Sequence, residues 1–368
     1  MTIKSTTKSP YGAALVVLLV IWSLWYMDLS SVRGAIQRHN SETGRTGQST
    51  AIGFGDASEA KSSPVDGSVQ PVLSTTAAAK IERPLILYAY SETTSARTNL
   101  EFFIRHGLHA AADFIFILNG ATDATTLIPL ADNIRYVQRA NDCYDLGAFA
   151  EVLTHDDLYK NYKKFIMLNA SIRGPFLPYW AESCWSDMYL KKVTDKVKLV
   201  GMTGNCWPVF HVQSMIWATD IVGLEVLLNP TKEQISAAEK YRPKSTEKRQ
   251  FDADPNSSSR LAPGINHCFH TWSNAVNAEI DASQLVKAAG YGVDVMMSAY
   301  HKNEHYEDEC DSSANGDVLW EGKYEGTNVH PFETIFLKSN RDIDPVGMAK
   351  LTEWTDGRAY SSYNFCKA

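Results

Sequence analysis

Short apolar segments that end in polar turns recur through the middle of this chain and constrain its fold most strongly. Residues 84–90, 113–120 and 165–168 are the clearest of them, each nearly continuous in aliphatic and aromatic side chains. Strands with this composition are typical of parallel sheets whose two faces are both covered by helices. An amphipathic stretch at residues 95–106 separates the first two. This order predicts an α/β fold with a doubly wound, mostly parallel sheet.

Further elements follow the same pattern along the chain. We expect strands at residues 133–139 and 198–206, and helices at 221–228 and 271–289. Residues 231–264 are instead polar, charged and interrupted by three prolines. A segment of this length without periodicity is typical of disorder or of a functional lid, so we predict a flexible loop.

The N-terminal part of the chain differs from the rest in composition. Residues 11–28 form an apolar run that ends in aromatic side chains, which favours one transmembrane signal anchor over a cleaved signal peptide. Residues 1–10 then form a cytoplasmic tail. Residues 29–80 are rich in Ser, Thr, Gly and Ala and are predicted to be a disordered stem. Residues 81–368 remain as one large globular domain.

Charge and cysteine content limit the partners and the chemistry. The formal net charge is −7, and no basic run with interleaved aromatics occurs, so nucleic acid is excluded as a partner. Six widely spaced cysteines form no CxxC pair, which argues against a zinc ribbon. Buried free thiols and disulfides both remain open. Asn169 and Asn256 each begin an N-glycosylation pattern, and only the second lies in a polar loop, so the protein is predicted to be a glycoprotein through Asn256.

Polar side chains flank the strand at residues 165–168. Asn141, Asp142 and Asp145 come before it, at the start of a predicted helix, while Asn169 and Ser171 follow it directly. In open α/β sheets, ligands bind beyond the carboxyl ends of the strands, so these residues are the predicted site for a nucleotide. The alternative for Asp145 is a simple helix cap, and for Asn169 and Ser171 a turn that satisfies its own backbone.

Three segments in this order resemble the GT-A fold of glycosyltransferases, which is Rossmann-like, and specifically the rhamnan-synthesis F type of domain. They are RANDCYDLGAFAEVL, LNASIRGPFLPYW and AEIDASQLVKAAGYGVDV. The resemblance covers about residues 81–338. It implies a nucleotide-sugar donor, whose binding would involve Asn141, Asp142, Asp145, Asn169 and Ser171. It also implies transfer of the sugar to a hydroxyl of a glycan or glycoconjugate acceptor.

One departure from the GT-A pattern concerns the metal. Most GT-A enzymes end the donor strand with an Asp-x-Asp pair that holds a divalent metal, whereas this chain has Asn169, Ala170 and Ser171. Amide and hydroxyl groups are poor ligands for Mg²⁺ or Mn²⁺. Arg173 and Lys338, or Arg341, are therefore expected to neutralise the diphosphate. The alternative is a displaced metal site built from Asp142, Asp145 and His330.

A carboxylate is also needed if the acceptor hydroxyl loses its proton as it attacks. Glu279 and Asp281 open the segment that resembles the acceptor helix of the family, and Glu279 is the predicted base. A favourable charge at a helix start is the structural alternative, and His330 with Glu333 is a further candidate pair. An anchor, a stem and a lumenal enzyme domain together predict a type II membrane protein of the Golgi or ER. The competing hypothesis is a GT-A-like protein that binds carbohydrate or acts as a scaffold without catalysis.

Overall fold

Seven strands form the central sheet of the computed structural model, which describes residues 81–241 and 261–367. The eleven strands of these residues are β1 (Leu85–Ser91), β2 (Asp113–Asn119), β3 (Ile134–Arg139), β4 (Lys164–Asn169), β5 (Ile172–Arg173), β6 (Val197–Gly201), β7 (Gly204–Asn205), β8 (His211–Val212), β9 (Ile216–Asp220), β10 (Gly292–Val295) and β11 (Leu337–Lys338). The central sheet has the order β10-β6-β9-β4-β1-β2-β3, and every neighbouring pair in it is parallel except those that β9 makes with β4 and β6. The other four strands form two small sheets, β5 with β11 and β7 with β8. The predicted mostly parallel sheet is confirmed.

Helices connect these strands and cover the sheet. Because crossovers between parallel strands are right-handed, the β1–β2 and β3–β4 connections, which run in opposite directions, place their helices on opposite faces. Phe103 of the first helix packs on the rings of Phe114 and Phe116. The helices are α1 (Thr94–His106), α2 (Tyr144–Thr154), α3 (Trp185–Leu190), α4 (Ile221–Leu228), α5 (Lys232–Glu239), α6 (Trp272–Ala288), α7 (Tyr306–Glu309), α8 (Pro331–Thr334) and α9 (Pro345–Gly357).

Part of the predicted loop at residues 231–264 is helical, which corrects that prediction. Helix α5 occupies Lys232–Glu239 and contacts α6. A capping box starts it, because the Thr231 side chain accepts from the Gln234 backbone and the Gln234 side chain accepts from the Thr231 backbone. This Thr-x-x-Gln spacing was the sequence signal for a helix start. Residues 242–260, with Asn256, lie outside the described residues.

The predicted tail, anchor and stem at residues 1–10, 11–28 and 29–80 also lie outside the described residues. Within residues 81–241 and 261–367, no helix has the length and apolar character needed to span a membrane.

Three disulfides join distant parts of the domain and account for all six cysteines. They are Cys143–Cys268, Cys184–Cys366 and Cys206–Cys310, with sequence separations of 125, 182 and 104 residues. The first fixes the segment around residue 268 against the start of α2. At Gly147 in α2, a Cβ atom would lie 2.5 Å from the His267 carbonyl oxygen, so only glycine fits this contact. Because all six cysteines are paired, the alternative of buried free thiols is wrong.

Removal of the Cys184–Cys366 disulfide is expected to destabilise the domain by about 2–5 kcal/mol, because the bond restricts a long loop of the unfolded chain. It ties α3 to the C-terminal segment, where both cysteines are buried. The measurement is the free energy of unfolding of the Cys184→Ser/Cys366→Ser variant in denaturant. An unchanged midpoint for this variant, and for the parent protein in dithiothreitol, would contradict the pairing.

Candidate functional site

The carboxyl edge of the sheet between β1 and β4 is a topological switch point. From β1, the chain continues outward through β2 and β3 and then returns to β4 on the other side of β1. The connections therefore leave β1 and β4 in opposite directions and open a crevice between their carboxyl ends, which is where open α/β sheets bind ligands. Asn169 ends β4 beside Ala89 of β1. Sequence and topology thus point to the same edge.

Four half-buried side chains form a connected polar cluster at this edge. Asn169 Nδ2 donates to Asp145 Oδ2, and Asn169 Oδ1 accepts from the backbone nitrogen of Ser171 at 3.1 Å. Lys338 Nζ donates to Ser171 Oγ at 2.8 Å. Lys338 reaches this position because β11 pairs antiparallel with β5, opposite Ile172. The structure therefore brings together four of the predicted donor-site residues from three separate parts of the chain.

Lys338 is an unusual lysine because of its surroundings. Burial, reinforced by repulsion from Arg341, lowers the pKa of Lys338 to about 8, against attraction from Glu279, Asp145 and Asp317. A half-buried ammonium that is poorly compensated favours an added negative charge nearby. A phosphate group would supply that charge, and it would also accept hydrogen bonds from the ammonium.

Asp145 and Glu279, whose charges both act on Lys338, have pKa values shifted in opposite directions. Burial, together with the negative charge of Glu279, raises the pKa of Asp145, although the hydrogen bond from Asn169 acts in the other direction. Burial also raises the pKa of Glu279, but bonds from His211 and Ser214 outweigh it and lower the pKa below its usual value. Paired groups whose environments separate their pKa values are typical of acid–base sites.

Glu279 does not lie at a helix start, as the sequence interpretation assumed. Helix α6 begins at Trp272, so Glu279 is two turns inside it and a favourable charge near the helix N-terminus does not explain it. Asp281 is fully buried and lies two positions further along, where side chains leave a helix in a different direction. The charge of Glu279 influences the pKa values of both Asp145 and Lys338, and its carboxylate accepts hydrogen bonds from the backbone and hydroxyl of Ser214.

A second group of polar side chains, which includes a residue that the sequence analysis missed, extends the site. Asp317 Oδ2 accepts from Arg341 Nη1 at 2.7 Å, and Asp317 Oδ1 accepts from Gln213 Nε2 at 3.1 Å. The guanidinium of Arg341 lies 4.5 Å over the ring of Trp320, whose surface is half exposed. Nothing in the local sequence around Asp317 marks it, since its partners lie far along the chain.

Arg173 and His330 are placed differently from the other predicted donor residues. Arg173 donates to Asn99 Oδ1 at 2.9 Å and to Thr352 Oγ1 at 3.2 Å. Asn99 in turn donates to the Ala170 carbonyl at 2.8 Å, so Arg173 stabilises the turn at residues 169–171 indirectly, through Asn99. His330 caps α8 by accepting from the Phe332 backbone.

Asn141 and Asp142 are exposed at the start of the α2 region. Asp142 Oδ1 accepts from the Cys143 backbone at 2.7 Å and pairs with His270 at 2.9 Å. The Cys143–Cys268 disulfide lies beside this pair. Both residues precede Asp145 in the sequence. Asp142 also contacts the segment around residue 268 that the disulfide fixes.

The proposed displaced metal site is not assembled. Among the described residues, the oxygen and nitrogen ligand atoms of Asp142, Asp145 and His330 do not come within 4.8 Å of one another. Two groups of three possible metal ligands do lie within 4.8 Å of one another in the described residues, and each contains a disulfide. One is His109 with Cys184–Cys366, and the other is Asp142 with Cys143–Cys268. Disulfide sulfurs are not thiolates, so neither group is a metal centre as it stands.

Comparisons with known proteins find glycosyltransferase structures. No protein-family model and no curated protein sequence matches the chain. Over 39% of its length the chain is similar to the mannosyltransferase PcManGT from Pyrobaculum calidifontis in complex with GDP-Man and Mn²⁺, with 13% identity, a TM-score of 0.28 and 46% of that protein covered. The match thus spans less than half of PcManGT.

Two structures of LgtC are also similar, one an active-site mutant and the other the galactosyltransferase in complex with donor and acceptor sugar analogues. Each shows 11% identity and a TM-score of 0.35, covering 74% of this chain and 95% of LgtC. Likenesses of this size leave the function to be inferred from the side chains of the site.

Proposed function

We propose that this protein is a glycosyltransferase that moves a sugar from a nucleotide-sugar donor to a hydroxyl of a glycan or glycoconjugate. One observation carries the proposal: Lys338, a half-buried lysine with a pKa lowered to about 8, lies at the switch point beside Ser171 and near Asp145. A diphosphate leaving group needs positive charge, and an attacking hydroxyl needs a proton acceptor. The edge cluster of Asp145, Asn169, Ser171 and Lys338 supplies both.

The roles within this cluster follow from its chemistry. Lys338 neutralises the diphosphate as its bond to the sugar breaks, and Arg341 adds to the positive potential nearby. Asn169 and Ser171 hold hydroxyl or phosphate oxygens. Asp145 takes the proton of the acceptor hydroxyl, because a carboxylate with a raised pKa is the stronger base. The Asn169-Ala170-Ser171 turn offers a divalent metal only amide, hydroxyl and carbonyl oxygens.

Placement in the lumen of the secretory pathway is part of the proposal. Three disulfides that use all six cysteines are typical of proteins that fold in an oxidising compartment. The apolar sequence of residues 11–28 favours a membrane anchor, with the Golgi or ER as the membrane.

The first test is the thermal shift of the full-length protein with UDP-, GDP- and CMP-sugars, each with and without Mn²⁺. A ligand that binds the folded state raises the melting temperature by mass action. We expect one nucleotide class to raise it, and the same donor to be turned over when acceptors are supplied. The absence of a shift with every donor, in a folded sample, would overturn the proposal.

The second candidate is a binding protein of the same fold that lacks catalysis. The neutral Asn169-Ala170-Ser171 turn favours it, because carboxylates that would hold a metal are absent from this position. The same titration separates the two functions. A nucleotide that binds without any transfer or hydrolysis of its sugar would support the binding protein.

A further inference from the structure

Helix α6 presents three polar side chains to the backbone connection that leads into β9. This connection, residues 210–214, includes β8, and each of the three side chains makes hydrogen bonds with it. The bonds are from Ser214 N to Glu279 Oε2 at 2.7 Å, from Val212 N to Ser283 Oγ at 2.8 Å and from Gln284 Nε2 to Phe210 O at 2.9 Å. The connection is therefore fixed along its length by one helix.

Glu279 is the charged member of this set, and the imidazole of His211 lies beside it. His211 Nδ1 lies 2.8 Å from the Val209 carbonyl, which only accepts, so Nδ1 carries a proton. His211 Nε2 lies 3.5 Å from Glu279 Oε1. The two side chains are 2% and 18% exposed, so Glu279 and His211 form a buried contact between helix α6 and the connection.

Residues 213–215 contact both polar groups of the site, the edge cluster at Asn169 and the second group at Asp317. Met215, the next residue, accepts at its carbonyl from the Asn169 backbone nitrogen at 3.0 Å. Gln213 donates to Asp317, which holds Arg341. A shift of residues 213–215 would therefore move Asn169 on one side and Asp317 on the other.

We propose that Glu279, paired with His211, is a positioning residue that holds this connection and through it sets Asn169 and Asp317, and that it does not take the proton of the acceptor. The inference rests on the proposed function for its catalytic meaning. Three donors already occupy the Glu279 carboxylate, namely the Ser214 nitrogen, the Ser214 hydroxyl and His211. A carboxylate stabilised in this way is a weak base, and Asp145 lies at the same site.

The test is Glu279→Gln in the full-length protein, with the nucleotide among UDP, GDP and CMP that binds the parent protein as the probe. Glutamine keeps the shape and one oxygen for Ser214 but loses the negative charge of the carboxylate. We expect the Kd for the nucleotide to rise about 10-fold, with a similar fall in kcat. Glu353→Gln, an exposed glutamate on α9, is the matched control and keeps parent values.

Two outcomes would overturn the inference. A parent-like Kd with kcat lowered 100-fold or more would make Glu279 the base. A lowered melting temperature with parent-like Kd and kcat would make it merely structural.

A double-mutant cycle of His211→Asn with Glu279→Gln keeps the inference testable if the parent protein binds no nucleotide, which would overturn the proposed function itself. Because the two residues act as one unit, the double variant should lose less unfolding stability than the sum of the two single variants. Additive losses would show that the two side chains are not coupled and would overturn the positioning role.

Discussion

Lys338→Met should weaken nucleotide binding strongly and leave the fold as stable as before or more stable. The ammonium supplies a charge-assisted bond to the diphosphate, so its loss should weaken binding about 10- to 100-fold. The folded-state pKa of about 8 lies below that of a free lysine, so the charged form destabilises the fold at neutral pH. That penalty, about 3 kcal/mol, is present below pH 8 and declines as the pH rises towards 10.5. The measurements are nucleotide titration and unfolding in denaturant.

The pH dependence of binding gives an independent measure of the same lysine. Bound diphosphate favours the ammonium, so affinity should be full below about pH 8 and fall above it. Lys350→Met is the matched control, since Lys350 is 53% exposed and pairs only with Glu353 in the described structure. Its nucleotide affinity should equal that of the parent protein. An unchanged affinity in Lys338→Met would place the diphosphate elsewhere.

The fold was predictable because burial determines the composition of the inner strands. The segments at β1, β2 and β4 are buried along almost their whole length and therefore read as continuous apolar runs. Strand β9 runs antiparallel between β4 and β6, and the sequence did not indicate this direction. Strand direction depends on which neighbours pair, and that is a long-range property that apolar composition does not record.

The site was most predictable where strand topology places its residues at the sheet edge. Asn169 ends β4, Ser171 comes two residues later, and Asp145 lies in the first turn of the helix before this strand. Asp317 reaches the site through partners at Gln213 and Arg341, which are remote in sequence. Its local sequence carries no sign of that contact. Arg173 shows the converse, because its position beside the turn suggested a phosphate contact whereas its guanidinium bonds to Asn99 and Thr352.

Asp145→Asn should slow sugar transfer strongly and keep nucleotide binding. An amide retains an oxygen that accepts from Asn169 but cannot take a proton, and the loss of a general base lowers kcat by about 10²- to 10⁴-fold. The substitution also removes the cost of burying a charged carboxylate, so the free energy of unfolding should not fall. Transfer to an acceptor and hydrolysis of the donor are the readouts, each with nucleotide affinity measured in parallel.

The pH profile of the parent enzyme tests the same assignment. The pKa of Asp145 is raised by burial, so the group is protonated at a higher pH than an ordinary aspartate. Because the base acts only when deprotonated, kcat should fall as the pH drops through this raised pKa, and that limb should be absent from the residual activity of Asp145→Asn. Asp156→Asn is the control, since Asp156 is 71% exposed and its positive φ of 49° suits asparagine. Full transfer activity in Asp145→Asn would exclude it as the base. Glu279 and Asp317, the two other carboxylates whose charges reach Lys338, would then be the candidates.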